Sequence, residues 1–211
     1  MKNRSTIAVI NQKGGVGKTT TVINLATSLS ILGQNNLIID LDPQGNATTG
    51  LGRSNNDEEN NIYNLLIKKI KLKEAIQKTE IKNLDIIGSN VNLSGLEVET
   101  ANDSDRAFVL KQILDMEKKD LLSEYDNIFI DCPPSLSLLT IMALVASDEL
   151  LVPLQTEFFA LEGITQLVKT IDRIKVNLNP DLKVRGILLT MFDKRNKLSS
   201  QVDKEARNYF K

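Results

Sequence analysis

A glycine-rich segment near the amino end of the chain carries residue types that bind phosphate. Residues 11–20 read Asn-Gln-Lys-Gly-Gly-Val-Gly-Lys-Thr-Thr. Gly14, Gly15 and Gly17 lack a Cβ atom, so the backbone can turn successive N–H groups toward one anion. A helix that begins near Lys18 would direct its positive end at the same point. The Lys18 ammonium can then reach the β- and γ-phosphates of a nucleotide, and the segment therefore predicts a phosphate-binding loop.

The residues around the glycines extend this prediction. The Thr19 hydroxyl can ligate Mg²⁺, a hard cation that prefers oxygen ligands, and Thr20 is placed to contact the α-phosphate. The general P-loop pattern GxxxxGK[ST] has a glycine where this chain has Gln12, and Lys13 precedes the glycine pair instead. The predicted nucleotide-binding residues form one continuous set: Lys13, Gly14, Gly15, Val16, Gly17, Lys18, Thr19 and Thr20.

Three aspartates stand at the ends of apolar segments. Residues 37–42 read Leu-Ile-Ile-Asp-Leu-Asp, and residues 127–131 read Asn-Ile-Phe-Ile-Asp. Asp40 and Asp42 are two positions apart and so face the same side of a strand, while Asp131 ends the second segment. Because ligands bind at the carboxyl ends of parallel strands, we expect these carboxylates to converge on the phosphate-binding loop.

The composition of the 211 residues limits the remaining chemistry. The chain has no histidine, no tryptophan and a single cysteine, Cys132. These counts exclude Ser-His-Asp and Cys-His catalysis, histidine-ligated zinc, an intrachain disulfide and a CxxC redox pair. Catalysis must therefore use carboxylates, amines, hydroxyls, backbone dipoles or a hard metal ion. Cys132 directly follows an apolar segment, and we interpret it as a buried, inert side chain.

Charge and hydropathy indicate the surroundings of the protein. Lys and Arg total 26 against 27 Asp and Glu, so any nucleic-acid contact requires a local basic patch. No segment reaches the ~20 apolar residues of a membrane span, and the amino end lacks the apolar core of a signal peptide. Together with the unpaired cysteine, these features predict a cytoplasmic protein.

Short apolar segments alternate with stretches of helical periodicity. We predict strands at residues 6–10, 37–41, 84–87, 127–131, 149–153 and 184–190, and helices at 18–32, 62–70, 105–122, 137–146, 161–176 and 198–210. Strands that are apolar on both faces and separated by helices predict an α/β fold, with a mostly parallel central sheet and helices on both faces. We expect a single domain over residues 1–211, with the polar run 53–61 as a solvated loop.

Three motifs resemble those of one protein family. KGGVGKTT at residues 13–20 resembles the deviant Walker A motif of the ParA/MinD family of P-loop ATPases. DLDPQGNATTGLG at residues 40–52 is similar to the second acidic motif of that family, and DCPPSLSLLT at residues 131–140 to its Walker B and switch region. The resemblance implies a P-loop NTPase-type fold that binds ATP and Mg²⁺ and hydrolyses ATP.

The resemblance also implies a catalytic set. In the family, the lysine before the glycine pair, here Lys13, reaches across a nucleotide-sandwich dimer to the phosphates of the other subunit, much as an arginine finger does. Lys18 would act on the phosphates of its own subunit. Asp42 would orient or polarise the attacking water.

Metal and switch residues follow from the same resemblance. Thr19 would ligate Mg²⁺ directly, while Asp40 and Asp131 would hold the hydrated ion through its waters. Pro43, Gln44 and the turn at residues 133–135 would sense the γ-phosphate.

Residues 151–163 and 186–195 extend the resemblance to the ParA/Soj branch, over about residues 6–210. This branch implies an ATP-driven switch for chromosome or plasmid segregation. An ATP-dependent homodimer would bind nonspecific DNA on the nucleoid, and a ParB-type partner would stimulate hydrolysis. Arg195 and Lys194 match the basic DNA-binding loop. We also expect the chain to lack the last strand and helix of the family.

Other functions stay open at this level. A MinD-like membrane switch would use a C-terminal amphipathic helix, and a narrow apolar stripe is formed by Leu198, Val202, Ala206 and Tyr209. Acidic residues interrupt the stripe, so we expect it to pack against the core. A metabolic P-loop enzyme that phosphorylates or ligates a small substrate, and a noncatalytic nucleotide-binding remnant, are the remaining alternatives.

Overall fold

The computed structural model of the protein describes residues 4–157 and 160–209. The strands are β1 (Ser5–Val9), β2 (Asn36–Asp40), β3 (Ile76–Lys78), β4 (Leu84–Ile87), β5 (Asn127–Asp131), β6 (Glu149–Gln155) and β7 (Lys183–Thr190). They form a seven-stranded sheet in the order β3-β4-β2-β5-β1-β6-β7. Neighbouring strands are parallel, except that β3 runs antiparallel to β4 at one edge.

Helices cover both faces of this sheet. They are α1 (Lys18–Ile31), α2 (Asn46–Gly50), α3 (Ile62–Leu66), α4 (Leu72–Ala75), α5 (Leu96–Glu99), α6 (Val109–Met116), α7 (Leu138–Ala146), α8 (Ala160–Asn177) and α9 (Lys197–Tyr209). Ile38 and Phe129 pack with Val22 of α1 in one apolar cluster. Their strand neighbours Ile39 and Ile130 belong to a larger cluster that includes residues of α6, α7 and α8. This alternation confirms the predicted α/β architecture.

Some predicted elements differ from the structure. The prediction of one helix over residues 105–122 was wrong, because α6 ends at Met116 between two short 3₁₀ helices. Residues 117–120 are all charged and offer no apolar side chain to the core. The helix predicted over 62–70 was too long, since α3 ends at Leu66 and Lys68 adopts a left-handed φ of 61°.

The polar run 53–61 is held by hydrogen bonds, although many of its side chains are exposed. Asp57 Oδ1 accepts from the backbone N–H groups of Glu59 and Asn60, both at 2.9 Å. Asp57 Oδ2 accepts from the side chain of Gln77 on β3, also at 2.9 Å. The expectation of a solvated loop was therefore incomplete, because this loop is fastened to the edge of the sheet.

The carboxyl ends of the three central strands are aligned. Asp131 of β5 lies in register with Asp40 of β2 on one side and with Val9 of β1 on the other. The loop from β1 to α1 leaves the sheet at this same edge. The fold thus brings the glycine-rich loop and the predicted aspartates together.

Candidate nucleotide-binding site

The loop between β1 and α1 has the backbone geometry that phosphate binding requires. Gly15 and Gly17 have φ angles of 75° and 89°, left-handed conformations that favour glycine. α1 begins at Lys18, directly after Gly17, and no described side chain caps this helix end. The N–H groups of the first turn of α1 therefore remain available to an anion, and the helix dipole favours negative charge there.

Two hydrogen-bonding side chains hold this loop, Asn11 within the loop itself and Thr190 of β7. Asn11 donates to the carbonyl of Pro153 at 2.7 Å and accepts from the N–H of Lys13 at 3.0 Å. Thr190, at the end of β7, donates to the carbonyl of Val16 at 2.9 Å. The sequence analysis gave Asn11 and Thr190 no role, although a polar residue at or just after the carboxyl end of an apolar segment is a usable signal.

Lys18 is the predicted phosphate-binding lysine, and it is 7% exposed. Its ammonium donates to the carbonyl of Lys13 at 3.1 Å. Burial lowers the pKa of Lys18, whereas nearby Asp131, Cys132 and Asp42 raise it. An ammonium has three N–H donors, so this one can bind phosphate oxygens while it keeps its backbone contact.

The other predicted loop residues differ in exposure. Val16 is buried, Gly17 and Thr19 are partly buried, and the exposed residues are Lys13, Gly14, Gly15 and Thr20. The ammonium of Lys13 forms an ion pair with the carboxylate of Glu157, just beyond β6. The sequence analysis gave Glu157 no role, since nothing local connects it to Lys13.

Asp131 ends β5 and is fully buried. Neither of its carboxylate oxygens makes a hydrogen bond of normal geometry to another described residue. Burial and the charge of Asp40 raise the pKa of Asp131 to about 7, while the nearby Thr19 hydroxyl and the Lys18 ammonium lower it. Buried carboxylates are normally paired, so these oxygens are suited to a cation or to its waters.

Asp40 and Asp42 have internal partners. Asp40 Oδ1 accepts from the N–H of Asp42 at 3.2 Å, and Oδ2 accepts from the N–H and hydroxyl of Thr48 at 2.8 and 2.7 Å. Burial raises the pKa of Asp40 to about 6, although the bonds from Thr48 lower it. Asp42 Oδ1 accepts from the N–H of Gln44 at 3.0 Å. The structure brings both aspartates to the predicted edge, and it adds Thr48, which the sequence analysis missed.

These groups fit a magnesium ion. The unpartnered oxygens of Asp131 and the neighbouring hydroxyl of Thr19 are hard oxygen donors. Within the described residues, no group of three or more His, Cys, Asp or Glu could hold a metal. Magnesium commonly takes one or two protein oxygens and completes its shell with water and phosphate, which matches this donor set.

The predicted DNA-binding residues lie in the turn between β7 and α9. Lys194 and Arg195 are both exposed. The Arg195 guanidinium donates to Asp193 twice, from Nε to Oδ1 at 3.0 Å and from Nη2 to Oδ2 at 2.8 Å, and the backbone N–H of Arg195 also donates to Oδ1 at 2.9 Å. The structure therefore places basic groups at the surface but pairs one of them with a carboxylate of the same turn.

The apolar stripe of α9 faces the protein. Leu198, Val202 and Ala206 pack with Leu154 of β6, which confirms the expected core packing for these three residues. The side chain of Tyr209 lies outside the described part of the structure. Among the described residues, no helix combines the length and the apolar character needed to cross a membrane.

A mostly parallel sheet that presents a glycine loop, a helix start and a buried aspartate at one edge defines the class of P-loop nucleoside triphosphatases. Residues 4–184 match the AAA_31 family, described as an AAA domain. The chromosome partitioning protein ParA of Myxococcus xanthus is 50% identical over 97% of this chain and 71% of its own length. The sporulation initiation inhibitor protein Soj of Bacillus subtilis is 46% identical over 97% of this chain and 79% of its own. The chain belongs to the AAA_31 family and, within it, to the ParA/Soj partitioning ATPases.

The fold also matches solved structures. The cobyrinic acid a,c-diamide synthase of Mycobacterium smegmatis, crystallised with ADP and magnesium, has a TM-score of 0.89 and 35% identity. The match covers 97% of this chain and 82% of that one. The predicted P-loop NTPase fold and family resemblance are thereby confirmed.

Proposed function

We propose that this chain is a Mg²⁺-dependent ATPase that acts as a switch in DNA segregation. One observation carries the ATPase proposal. The buried Lys18 and the unpartnered carboxylate of Asp131 lie at the same edge of the sheet. The ammonium suits a triphosphate and the carboxylate suits its magnesium. The ADP and magnesium in the synthase structure support ATP and Mg²⁺ as the ligands.

The chain's own residues divide the chemistry between them. The N–H groups of residues 14–19 and the Lys18 ammonium bind the β- and γ-phosphates and stabilise the charge that develops during hydrolysis. Asp42 orients the water that attacks the γ-phosphorus as the bond to the β–γ bridging oxygen breaks. Thr19 would ligate Mg²⁺ directly, and Asp131 and Asp40 would hold the ion through its waters. When bound, the ion would neutralise phosphate charge.

The switch would require two copies of the chain. ATP would close a homodimer in which Lys13 contacts the nucleotide of the other copy. The Lys13 side chain is 50% exposed, and its ion pair with Glu157 stands at the surface, so it can exchange partners at modest cost. Dimerisation would also double the basic surface around Arg195 and Lys194, and phosphate contacts from this surface would hold nonspecific DNA.

The cellular role follows from the partitioning relatives. ATP-bound dimers would stay on the nucleoid, in the cytoplasm, and hydrolysis stimulated by a ParB-type partner would release them. The name of the M. xanthus relative, a chromosome partitioning protein that is 50% identical to this chain, supports this proposal. The metabolic alternative has support from the synthase structure, but its identity is lower, at 35%.

ATP turnover, measured with and without DNA and a ParB-type protein, tests the proposal. We expect phosphate release that requires Mg²⁺ and that increases when both are added. Lys18→Ala should abolish turnover, whereas Lys82→Ala, which removes an exposed lysine near β4, should leave it unchanged. Failure of the unmodified protein to bind ATP would contradict the ATPase proposal. Equal DNA retention with and without ATP would contradict the switch.

A further inference from the structure

The hydroxyl of Thr48 connects the end of β2 with the loop after β4, at the edge of the sheet that holds the candidate site. Thr48 is on α2 and is 1% exposed. Its Oγ1 lies 2.7 Å from Asp40 Oδ2 and 2.9 Å from the N–H of Ser89. A carboxylate accepts and an N–H donates, so the hydroxyl must donate to Asp40 and accept from Ser89. The neighbours of this hydroxyl therefore fix both the hydrogen bond that it donates and the one that it accepts.

The rest of Thr48 is fixed as well. A Cβ atom added to Gly88 would lie 3.0 Å from Thr48 Cγ2, so the methyl group packs directly on the Gly88 backbone. The N–H of Thr48 donates to the same Asp40 oxygen as the hydroxyl does, at 2.8 Å. The loop after β4 thus holds Thr48, and Thr48 holds one oxygen of Asp40.

The other oxygen of Asp40 bonds to the backbone of Asp42. Asp40 Oδ1 accepts from the N–H of Asp42 at 3.2 Å. Asp42 in turn accepts from the N–H of Gln44 through Oδ1 and from the N–H of Gly45 through its carbonyl. A continuous set of hydrogen bonds therefore runs from the loop after β4 to the residue that we assign to the attacking water.

We propose that Thr48 is a positioning residue for ATP hydrolysis. Its hydroxyl fixes the carboxylate of Asp40, and Asp40 fixes the backbone of Asp42 beside the nucleotide. Thr48 itself does not touch the nucleotide, and the inference rests on the ATPase function proposed above. Hydrogen-bond partners that orient a functional carboxylate typically change activity by about 10–100-fold.

Two substitutions separate the hydroxyl from the methyl group. Thr48→Val keeps the methyl and removes the hydroxyl, and we expect kcat to fall by about 10–100-fold. The KM for ATP should change by less than about threefold, because the phosphate-binding loop is unaltered. Thr48→Ser keeps the hydroxyl and should retain kcat to within about threefold. Thr49→Val is the matched control, since the exposed Thr49 hydroxyl bonds to carbonyls of its own turn.

Amide hydrogen exchange supplies a readout that does not depend on turnover. In the nucleotide-free protein, exchange at residues 41–45 should be faster in Thr48→Val than in the unmodified protein or in Thr48→Ser. Circular dichroism at the assay temperature checks that all variants are folded. The proposal is overturned if Thr48→Val retains kcat and normal exchange, or if Thr48→Ser is as impaired as Thr48→Val. If the unmodified protein does not hydrolyse ATP, the proposed function fails, and exchange alone decides the role of Thr48.

Discussion

The ammonium of Lys13 is paired with the carboxylate of Glu157 in the same chain. The pair joins the phosphate-binding loop to the segment after β6. The side chains are 50% and 28% exposed, so the pair stands at the surface and is only weakly stabilising. A lysine that acts on the nucleotide of a second copy must first leave this partner. If the proposed dimer forms with Lys13 at the nucleotide of the other copy, this ion pair would favour the single chain by a small amount.

Glu157→Gln should strengthen ATP-dependent dimerisation. The substitution removes the competing carboxylate from both copies of the chain. A surface ion pair contributes ~0–1 kcal/mol, so the two pairs of a dimer contribute ~0–2 kcal/mol, and we expect a gain in dimer affinity of about thirtyfold or less. Sedimentation with a nonhydrolysable ATP analogue measures the dimer. Glu149→Gln is a suitable control, because it breaks a comparable ion pair with Arg185 at the opposite end of β6. Weaker dimers in Glu157→Gln would indicate that Glu157 itself contributes to the dimer.

The nucleotide-free protein should lose stability as the pH rises from about 5 to about 8. The pKa values of Asp131 and Asp40, about 7 and about 6, lie above the ordinary value for aspartate. The folded protein therefore binds more protons than the unfolded chain in this window, and the free energy of unfolding falls as these protons are lost. Urea unfolding at several pH values, without nucleotide or Mg²⁺, measures the slope.

Asp131→Asn should flatten this slope. At pH 8 the substitution removes a buried charge that faces Asp40, and we expect the free energy of unfolding to rise by ~1–2 kcal/mol. ATP turnover should be lost, because the amide cannot hold Mg²⁺ or its waters as a carboxylate does. A less stable variant at pH 8, with the slope unchanged, would show that Asp131 is not an uncompensated charge in the folded protein.

The parts of the site that the sequence predicted are those that local patterns determine. Gly15, Gly17 and Lys18 are adjacent in the chain, and their loop conformation depends on the missing Cβ atoms and on the helix start. Asp40 and Asp131 could be placed together because parallel strands end at one edge. The register confirms that the two aspartates are neighbours.

The missed residues depend on packing between distant segments. Glu157 is 144 positions from Lys13, and Thr190 is 174 positions from Val16. No periodicity or motif relates such pairs, because their contacts exist only once β6 pairs with β1 and β7 pairs with β6. Strand β3 was not predicted for a related reason. Its three residues form a strand because they pair with β4, and they are too few to show an alternation of apolar and polar side chains.

Thr190→Val should weaken nucleotide binding. The Thr190 hydroxyl holds the carbonyl of Val16 in the phosphate-binding loop, and the loss of one such hydrogen bond costs ~1 kcal/mol, or about fivefold in affinity. Titration with a fluorescent ATP analogue measures the change. Thr170→Val on α8 is the control, because its hydroxyl bonds within its own helix to Gln166. Equal affinities in the two variants would show that β7 does not control the loop.

The Arg195–Asp193 pair gives the DNA-binding proposal its sharpest test. Arg195→Glu should abolish ATP-dependent retention on nonspecific DNA while ATP affinity stays within about twofold, because the exposed Arg195 side chain bonds to Asp193 of its own turn and not to the phosphate-binding loop. Asp193→Asn should instead strengthen ATP-dependent retention on nonspecific DNA. It removes the negative charge and one of the two oxygens that accept from the Arg195 guanidinium, so that the guanidinium is freer to face DNA phosphates.

The salt dependence of retention distinguishes a DNA contact from an indirect effect of Asp193→Asn. Each added phosphate contact steepens the fall of log K with log salt by about 0.9, so Asp193→Asn should bind DNA more tightly at low salt and lose that advantage as salt increases. Asp203→Asn is the matched control, because it frees Arg207 from a similar carboxylate on α9. A phosphate contact through Arg195 must weaken as counterions compete for it. A gain in DNA affinity that is the same at every salt concentration, or one that Asp203→Asn reproduces, would therefore assign the DNA contact to other residues.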